Sequence, residues 1–209
     1  INNISSLITD TASFNINSDK IENLVGDKGT CTSWNINLPA VKTISLTSPD
    51  YSGTLTLAGR ENFPNIDTIN INNSKISLDL SNLPVRRISA TSVKSGTINI
   101  SNCNDIQEVL LSGSTITSLS ISPLWVNRLV IDNTWGKITD LSVTGKENEP
   151  FSIKITGNQA LTTLTINGQC TSIEIDGCPK LRSITILTQH LRTLLQLTRI
   201  SQCLVSISS

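Results

Sequence analysis

The chain has 209 residues, and its 16 Lys and Arg balance its 16 Asp and Glu, so its formal net charge is zero at pH 7. The longest basic cluster is the pair Arg86 and Arg87, so we expect neither nucleic acid nor an anionic membrane as a partner. No stretch approaches the roughly 18 apolar residues of a membrane-spanning helix, so no membrane insertion is expected.

The repeat begins close to the amino end. Phe14-Asn-Ile16 returns as Trp34-Asn-Ile36, and a spacing of about 20 residues is typical of a solenoid. A terminal repeat differs from the others because one of its faces meets water. We therefore predict a single solenoid domain over residues 1–209, with an N-terminal cap and first turns over residues 1–33.

Residues 34–186 carry the repeats as two alternating kinds of predicted strand, because aliphatic anchors alternate with polar residues. With aromatic residues at only 3% of the chain and Met absent, Ile, Leu and Val must form the core. The two-anchor strands are Trp34/Ile36, Leu55/Leu57, Leu78/Leu80, Ile98/Ile100, Leu119/Ile121 and Leu141/Val143. The three-anchor strands are Val41/Ile44/Leu46, Ile66/Ile69/Ile71, Val85/Ile88/Ala90, Ile106/Val109/Leu111 and Val126/Leu129/Ile131.

An insertion at residues 145–150 disturbs this alternation. Strict alternation makes residues 151–155 a three-anchor strand, whereas alignment with residues 172–175 makes them a two-anchor strand. Either the two sheets exchange roles here or a strand is missing. Elsewhere, turn-forming Asn, Gly, Ser and Pro residues mark the corners between strands.

The pattern changes in the predicted C-terminal cap, residues 187–209. Leu187, Leu191, Leu194 and Leu195 fall at helical spacing, which predicts a short capping helix. Residues 204–207 alternate again and predict a final strand.

Residues 97–106 and 152–161 resemble the core motif of leucine-rich repeats, with Cys103, Asn158 and Cys178 in its Asn/Cys place. The likeness is greatest to bacterial cell-surface proteins with short repeats, of the internalin and adhesin kind. It implies a mainly β, right-handed parallel β solenoid of leucine-rich-repeat type with strands on both faces. A parallel β-helix is the alternative fold, because a turn of about 20 residues has no room for the family's regular helix.

Five Cys residues are present, and Cys103 and Cys178 occupy the same place in the repeat. A recurring structural place suits buried free thiols better than a disulfide framework or a metal site. Cys170 and Cys178 bracket a strand-like run that holds them too far apart to form a bridge.

Catalytic and metal-binding patterns are missing from the sequence. His190 is the only histidine, and the spacings of zinc, calcium and phosphate sites do not occur. We therefore predict no metal site, no cofactor and no enzyme. The alternative is a polysaccharide lyase or glycosidase, whose charged residues would come from adjacent turns: Asp67, Asp79, Arg86, Arg87 and Glu108.

The resemblance implies a noncatalytic binding or adhesion module that recognises protein or carbohydrate through one solenoid face. Tyr51, Trp125 and Trp135 are the candidate ligand-binding residues, because aromatic side chains near corners stack on sugars or anchor protein partners. A purely structural spacer is a further alternative. The polar positions are rich in Asn, Ser and Thr, so we expect a secreted or surface-anchored bacterial protein. We also expect a monomer.

Overall fold

The computed structural model describes residues 3–9, 13–29, 33–47, 52–57, 61–73, 75–93, 97–113, 118–120, 128–132, 138–145, 148–188 and 194–208. These residues form strands and turns and contain no helix. In chain order the strands are β1 (Asn3–Thr9), β2 (Ser13–Asn17), β3 (Asn23–Gly29), β4 (Ser33–Asn37), β5 (Thr43–Thr47), β6 (Ser52–Thr56), β7 (Thr68–Asn72), β8 (Lys75–Asp79), β9 (Arg87–Thr91), β10 (Thr97–Asn99), β11 (Glu108–Ser112), β12 (Ser118–Ser120), β13 (Arg128–Asp132), β14 (Asp140–Thr144), β15 (Phe151–Thr156), β16 (Thr163–Asn167), β17 (Cys170–Asp176), β18 (Ser183–Leu187), β19 (Leu194–Thr198) and β20 (Leu204–Ser208).

Odd-numbered and even-numbered strands form separate parallel sheets. All ten odd-numbered strands lie in one sheet in chain order, which we call the long sheet. The even-numbered strands form three short sheets, β2–β4, β6–β8–β10–β12 and β14–β16–β18–β20. Because successive strands alternate between the two sets, each turn of chain contributes one strand to each. This confirms the predicted parallel β-solenoid, and Ile98 pairs with both Leu78 and Leu119 as that fold requires.

Aliphatic side chains from both sets of strands meet in one core. In β5, for example, Ile44 and Leu46 are buried while the alternate residues are partly exposed. Most strands pair in uniform register from turn to turn, so most anchors stack on an anchor of the next turn, as Ile44 does on Ile69. The pairs β1–β3 and β15–β17 contain register shifts. Stacking is needed because one turn alone buries too little apolar surface to offset the entropy of ordering its residues.

The insertion at residues 145–150 follows an exchange of roles between the sheets. Before it, the extra anchor of a three-anchor strand, such as Val85 or Ile106, is buried three residues ahead of the next anchor and leads into a strand of the long sheet. After it, Leu161 leads into β16, in a short sheet, while β15 continues the long sheet between β13 and β17. Ile138 is buried three residues before Leu141. β14 is therefore a three-anchor strand, not the two-anchor strand predicted, and the exchange precedes it.

The predicted C-terminal capping helix is wrong. Leu187 ends β18, and Leu194 and Leu195 begin β19; Leu191 lies outside the described residues. Leu195 instead pairs with Ile173 in the long sheet, so tertiary pairing overrides the helical spacing. The predicted final strand is confirmed as β20.

At one corner, a buried side chain replaces a backbone hydrogen bond. Asn158 is 1% exposed, and its Oδ1 accepts hydrogen bonds from the backbone N–H groups of Ala160, at 3.0 Å, and Leu161, at 3.1 Å. One turn later, Leu181 N–H donates to the backbone carbonyl of Cys178 instead. The Asn/Cys place therefore satisfies buried backbone groups in either of two ways.

We expect Asn158→Ala to lower the free energy of unfolding by about 1 to 2 kcal/mol, because it removes the acceptor of two corner N–H groups. Asn158→Cys should cost less, because the Cys178 corner shows a bonding pattern that Cys permits. Gln159→Ala is the control, since that exposed side chain makes only long contacts to carbonyl oxygens. Urea denaturation of the three variants measures these losses, and equal losses at residues 158 and 159 would contradict the assignment.

The alternation places Asn99 on the outside of the solenoid, which suggests that its side chain contacts only water. The side chain instead forms hydrogen bonds within the protein. Its Oδ1 accepts hydrogen bonds from both the backbone N–H and the hydroxyl of Ser101, and its Nδ2 donates to Asp79 Oδ1 at 3.1 Å. Asp79 bonds Ser81 in the same way, so the arrangement repeats on two successive turns. These side chains stabilise the turns that follow β8 and β10.

Asn99→Ala is therefore expected to cost about 1 kcal/mol of unfolding free energy, rather than nothing measurable. Asn99→Asp keeps the acceptor for Ser101 but places a carboxylate beside Asp79, so its loss should shrink at high salt. Chemical denaturation at low and high ionic strength tests both statements. If Asn99→Ala left the free energy of unfolding unchanged, the Ser101 contacts would contribute nothing to stability.

Candidate functional site

A cleft of about 610 Å³ lies beside the long sheet, where the chain enters strands β5, β7, β9 and β11. Four neighbouring corners line it, and the side chains that matter below are Lys42, Thr43, Pro64, Asp67, Pro84, Arg86 and Asp105. Its volume falls within the range of known ligand sites, about 300 to 1,000 Å³. The cleft is therefore a candidate ligand site.

A ladder of backbone hydrogen bonds positions these side chains. Asp67 N–H donates to the carbonyl of Lys42 at 2.8 Å, and Arg86 N–H donates to the carbonyl of Asp67 at 2.9 Å. Gln107 N–H continues the ladder to the carbonyl of Arg86. Equivalent residues of successive turns are therefore held one strand spacing apart, about 4.8 Å.

Asp67 is the electrostatic centre of the cleft. Its Oδ2 receives Arg87 Nη2 at 2.6 Å and the hydroxyl of Thr68 at 2.8 Å, and its Oδ1 lies 3.8 Å from Arg86 Nη1. Burial acts to raise the pKa of the Asp67 carboxyl group, but the hydrogen bonds from Thr68 and Arg87 and the charges of both arginines outweigh it. The pKa is lowered, and Asp67 is ionised at neutral pH.

Ion pairs between adjacent turns continue along this edge and outer face of the long sheet. Lys42 Nζ lies 3.2 Å from Glu22 Oε2, and Lys154 Nζ lies 2.8 Å from Glu174 Oε1. All of these side chains are well exposed, and each pair contributes at most about 1 kcal/mol to stability. Their main effect is on the surface, where opposite charges alternate from turn to turn.

The structure brings together only part of the predicted charged group. Asp67 and Arg86 line the cleft, and Arg87 forms an ion pair with Asp67. Glu108 lies beside Arg87 in the strand register of the long sheet. Asp79 was wrongly placed with them, because β8 belongs to a short sheet on the other side of the core.

The predicted aromatic ligand-binding residues Tyr51, Trp125 and Trp135 lie outside the described residues, as does His190. Sequence reasoning missed Lys42 and Asp105 as members of a site. Their position in the repeat could have identified them, because each closely precedes a strand of the long sheet. Within the described ranges, no three His, Cys, Asp or Glu side chains come together as a metal-binding group, and no helix suits a bilayer span.

The cysteines behave as the repeat predicts. Cys103 and Cys178 are buried and free, as expected, and Cys170 is also buried and free. Burial raises the pKa of the Cys103 and Cys170 thiols to about 11, so neither is a reactive thiolate at neutral pH. Cys31 lies outside the described residues.

The chain is thus a parallel β-solenoid built from short repeats, with a charged cleft along one edge. Comparison of the chain with protein-family models, curated proteins and solved structures found no match. The leucine-rich-repeat resemblance therefore stays a prediction from the residues that carry it.

Proposed function

We propose that the chain is a noncatalytic binding module of an exported bacterial surface protein, related to leucine-rich-repeat adhesins, which recognises a protein or glycan through the long-sheet side. The observation that carries the proposal is the cleft itself, which consecutive turns form beside an outer face of alternating charges. A stacked solenoid holds such a surface rigid and extended, as binding of a large ligand requires.

The state of Asp67 does not suit it to be the proton donor of a glycosidase. A glycosidase needs a carboxylic acid whose raised pKa keeps it protonated, so that it can donate a proton to the leaving group. Asp67 has a lowered pKa and is held by Arg87 at 2.6 Å. Such a carboxylate accepts hydrogen bonds well and donates a proton poorly.

The test is ligand screening with the full chain on a glycan array and by pull-down from cell-surface extracts. Asp105→Arg reverses an exposed charge in the cleft and should change the affinity for any ligand that binds there. Glu149→Arg makes the same charge change on the corner before β15, away from the cleft, and should leave capture intact. Reproducible polysaccharide turnover would overturn the proposal in favour of the enzyme alternative, and absence of any ligand would favour a structural spacer.

We also propose that the module acts outside the cell, secreted or surface-anchored, and as a monomer. The support is the polar surface rich in Ser, Thr and Asn, including outward residues such as Ser45 and Asn70, which hydrogen-bond across turns. Protease treatment of intact cells of the source organism should remove the protein if it is exposed. Sedimentation analysis of the purified chain should give the mass of a single copy.

A further inference from the structure

We propose that the cleft binds a glycan through a single acidic sugar, with Arg86 receiving the sugar carboxylate and neutral sugars on either side. This inference rests on the proposed binding function and names the class of ligand. It follows from the complementary hydrogen-bonding groups that the cleft presents.

Arg86 is the cation that remains available in the cleft. Arg87 already engages Asp67 at 2.6 Å, whereas the closest ion-pair contact of Arg86 to that carboxylate is 3.8 Å, beyond hydrogen-bond length. The side chain of Arg86 is 60% exposed. A guanidinium group presents five N–H donors in a planar fork that matches a carboxylate with two parallel hydrogen bonds. Arg86 is therefore suited to bind a planar, anionic acceptor.

The carboxylates of the cleft allow the ligand only one negatively charged group at this place. Asp67 and Asp105 line the same cleft as Arg86. Ionised carboxylates only accept hydrogen bonds, so they suit the hydroxyl groups that neutral sugars donate. A second carboxylate beside the first would face Asp67 or Asp105 and be repelled. An isolated acidic sugar fits this arrangement, and a polyanion does not.

The remaining surface suits sugar rings. Pro64 and Pro84 line the cleft on successive turns, and their rings are rigid and apolar. Thr43 adds a hydroxyl group that donates and accepts. Lys42 also lines the cleft, but it forms an ion pair with Glu22, so it adds positive charge without competing for the place beside Arg86. The cleft therefore combines the apolar surface of two rings with several hydrogen-bonding groups.

The experiment is calorimetric titration of the full chain with two matched pairs of probes. Cellobiouronic acid is compared with cellobiose, which differs only in the carboxylate, and sialyllactose with lactose, which lacks the whole acidic sugar. At least one acidic probe should bind about tenfold or more tightly than its neutral partner. Raising the salt concentration should weaken that binding, because Arg86 is partly exposed.

Substitutions identify the group responsible. Arg86→Gln should abolish the preference for the acidic probe, and Arg86→Lys should restore it in part, because Lys keeps the charge without the fork. Arg128→Gln is the matched control, since it removes the same charge from a later turn, where Arg128 pairs with Glu108. Denaturation midpoints establish that all three variants are folded.

The proposal is wrong if both neutral probes bind as tightly as their acidic partners, if Arg86→Gln leaves the preference intact, or if Arg128→Gln removes it equally. It is also wrong if polyglutamate binds as tightly as the acidic probes, because the cleft would then recognise acidic peptide. Failure here is distinct from failure of the proposed function. If another captured ligand is lost in Asp105→Arg, the module binds but does not recognise acidic sugars.

Discussion

Ile173→Ala is expected to lower the free energy of unfolding by about 2 to 5 kcal/mol, the range for truncating a buried aliphatic side chain that leaves a cavity. Ile173 is fully buried in β17 and pairs in register with Ile153 and Leu195 on the neighbouring turns. The lost methyl groups have neighbours above, below and across the core, so the cavity cannot close without moving whole turns. Denaturant midpoints of the purified variants measure the loss.

Glu174→Ala is the matched control, one residue along the same strand. Its side chain points outward and forms an exposed ion pair with Lys154, so its removal should change stability by less than about 0.5 kcal/mol. If Glu174→Ala proved as harmful as Ile173→Ala, the inward and outward faces of the long sheet would be wrongly assigned. The surface on which we place binding would then be lost as well.

Gly145→Ala is expected to destabilise the protein by about 1 to 3 kcal/mol through overpacking. A Cβ atom at residue 145 would lie 2.4 Å from Phe151 Cε1, and the Phe151 ring is 2% exposed, so it has little space into which to move. Gly145 follows β14 directly and Phe151 begins β15. The clash therefore falls in the connection from β14 to β15, just after the two sheets have exchanged roles.

A double-mutant cycle separates this clash from a loss of backbone freedom. Phe151→Leu removes the ring atoms that the new methyl group meets, so Gly145→Ala should cost less in that background. Thermal or urea denaturation of the four proteins gives the coupling energy. Equal costs in both backgrounds would mean that Phe151 is not the obstacle.

The architecture was predictable because each turn repeats the same buried places. Anchors such as Ile98 recur at the period of the turn, and only stacked parallel strands bury them all. The C-terminal helix was mispredicted because Leu187, Leu191 and Leu194 satisfy a helical period, while the pairing of Leu195 with Ile173 across turns has no signal within that segment. The sequence did not determine where the two sheets exchange roles, because two-anchor and three-anchor strands have the same local alternation.

The site was less predictable than the fold. Asp67 and Arg87 are 20 residues apart, and the repeat placed them together correctly. Asp79 has the same spacing from Asn99, but it lies across the core, and sequence position alone does not separate the two sides. Val130 occupies an outward place in β13 and is nevertheless 5% exposed, so alternation does not determine which outward residues meet water.

The exchange between β13 and β14 changes what a shared motif displays. Thr97-Ile-Asn-Ile100 and Ser152-Ile-Lys-Ile155 have the same pattern, yet β10 lies in a short sheet and β15 in the long sheet. Asn99 and Lys154 hold the same motif place and face opposite sides of the rod. An antibody epitope or chemical label engineered into that place would therefore mark one side in the first half of the chain and the other side in the second.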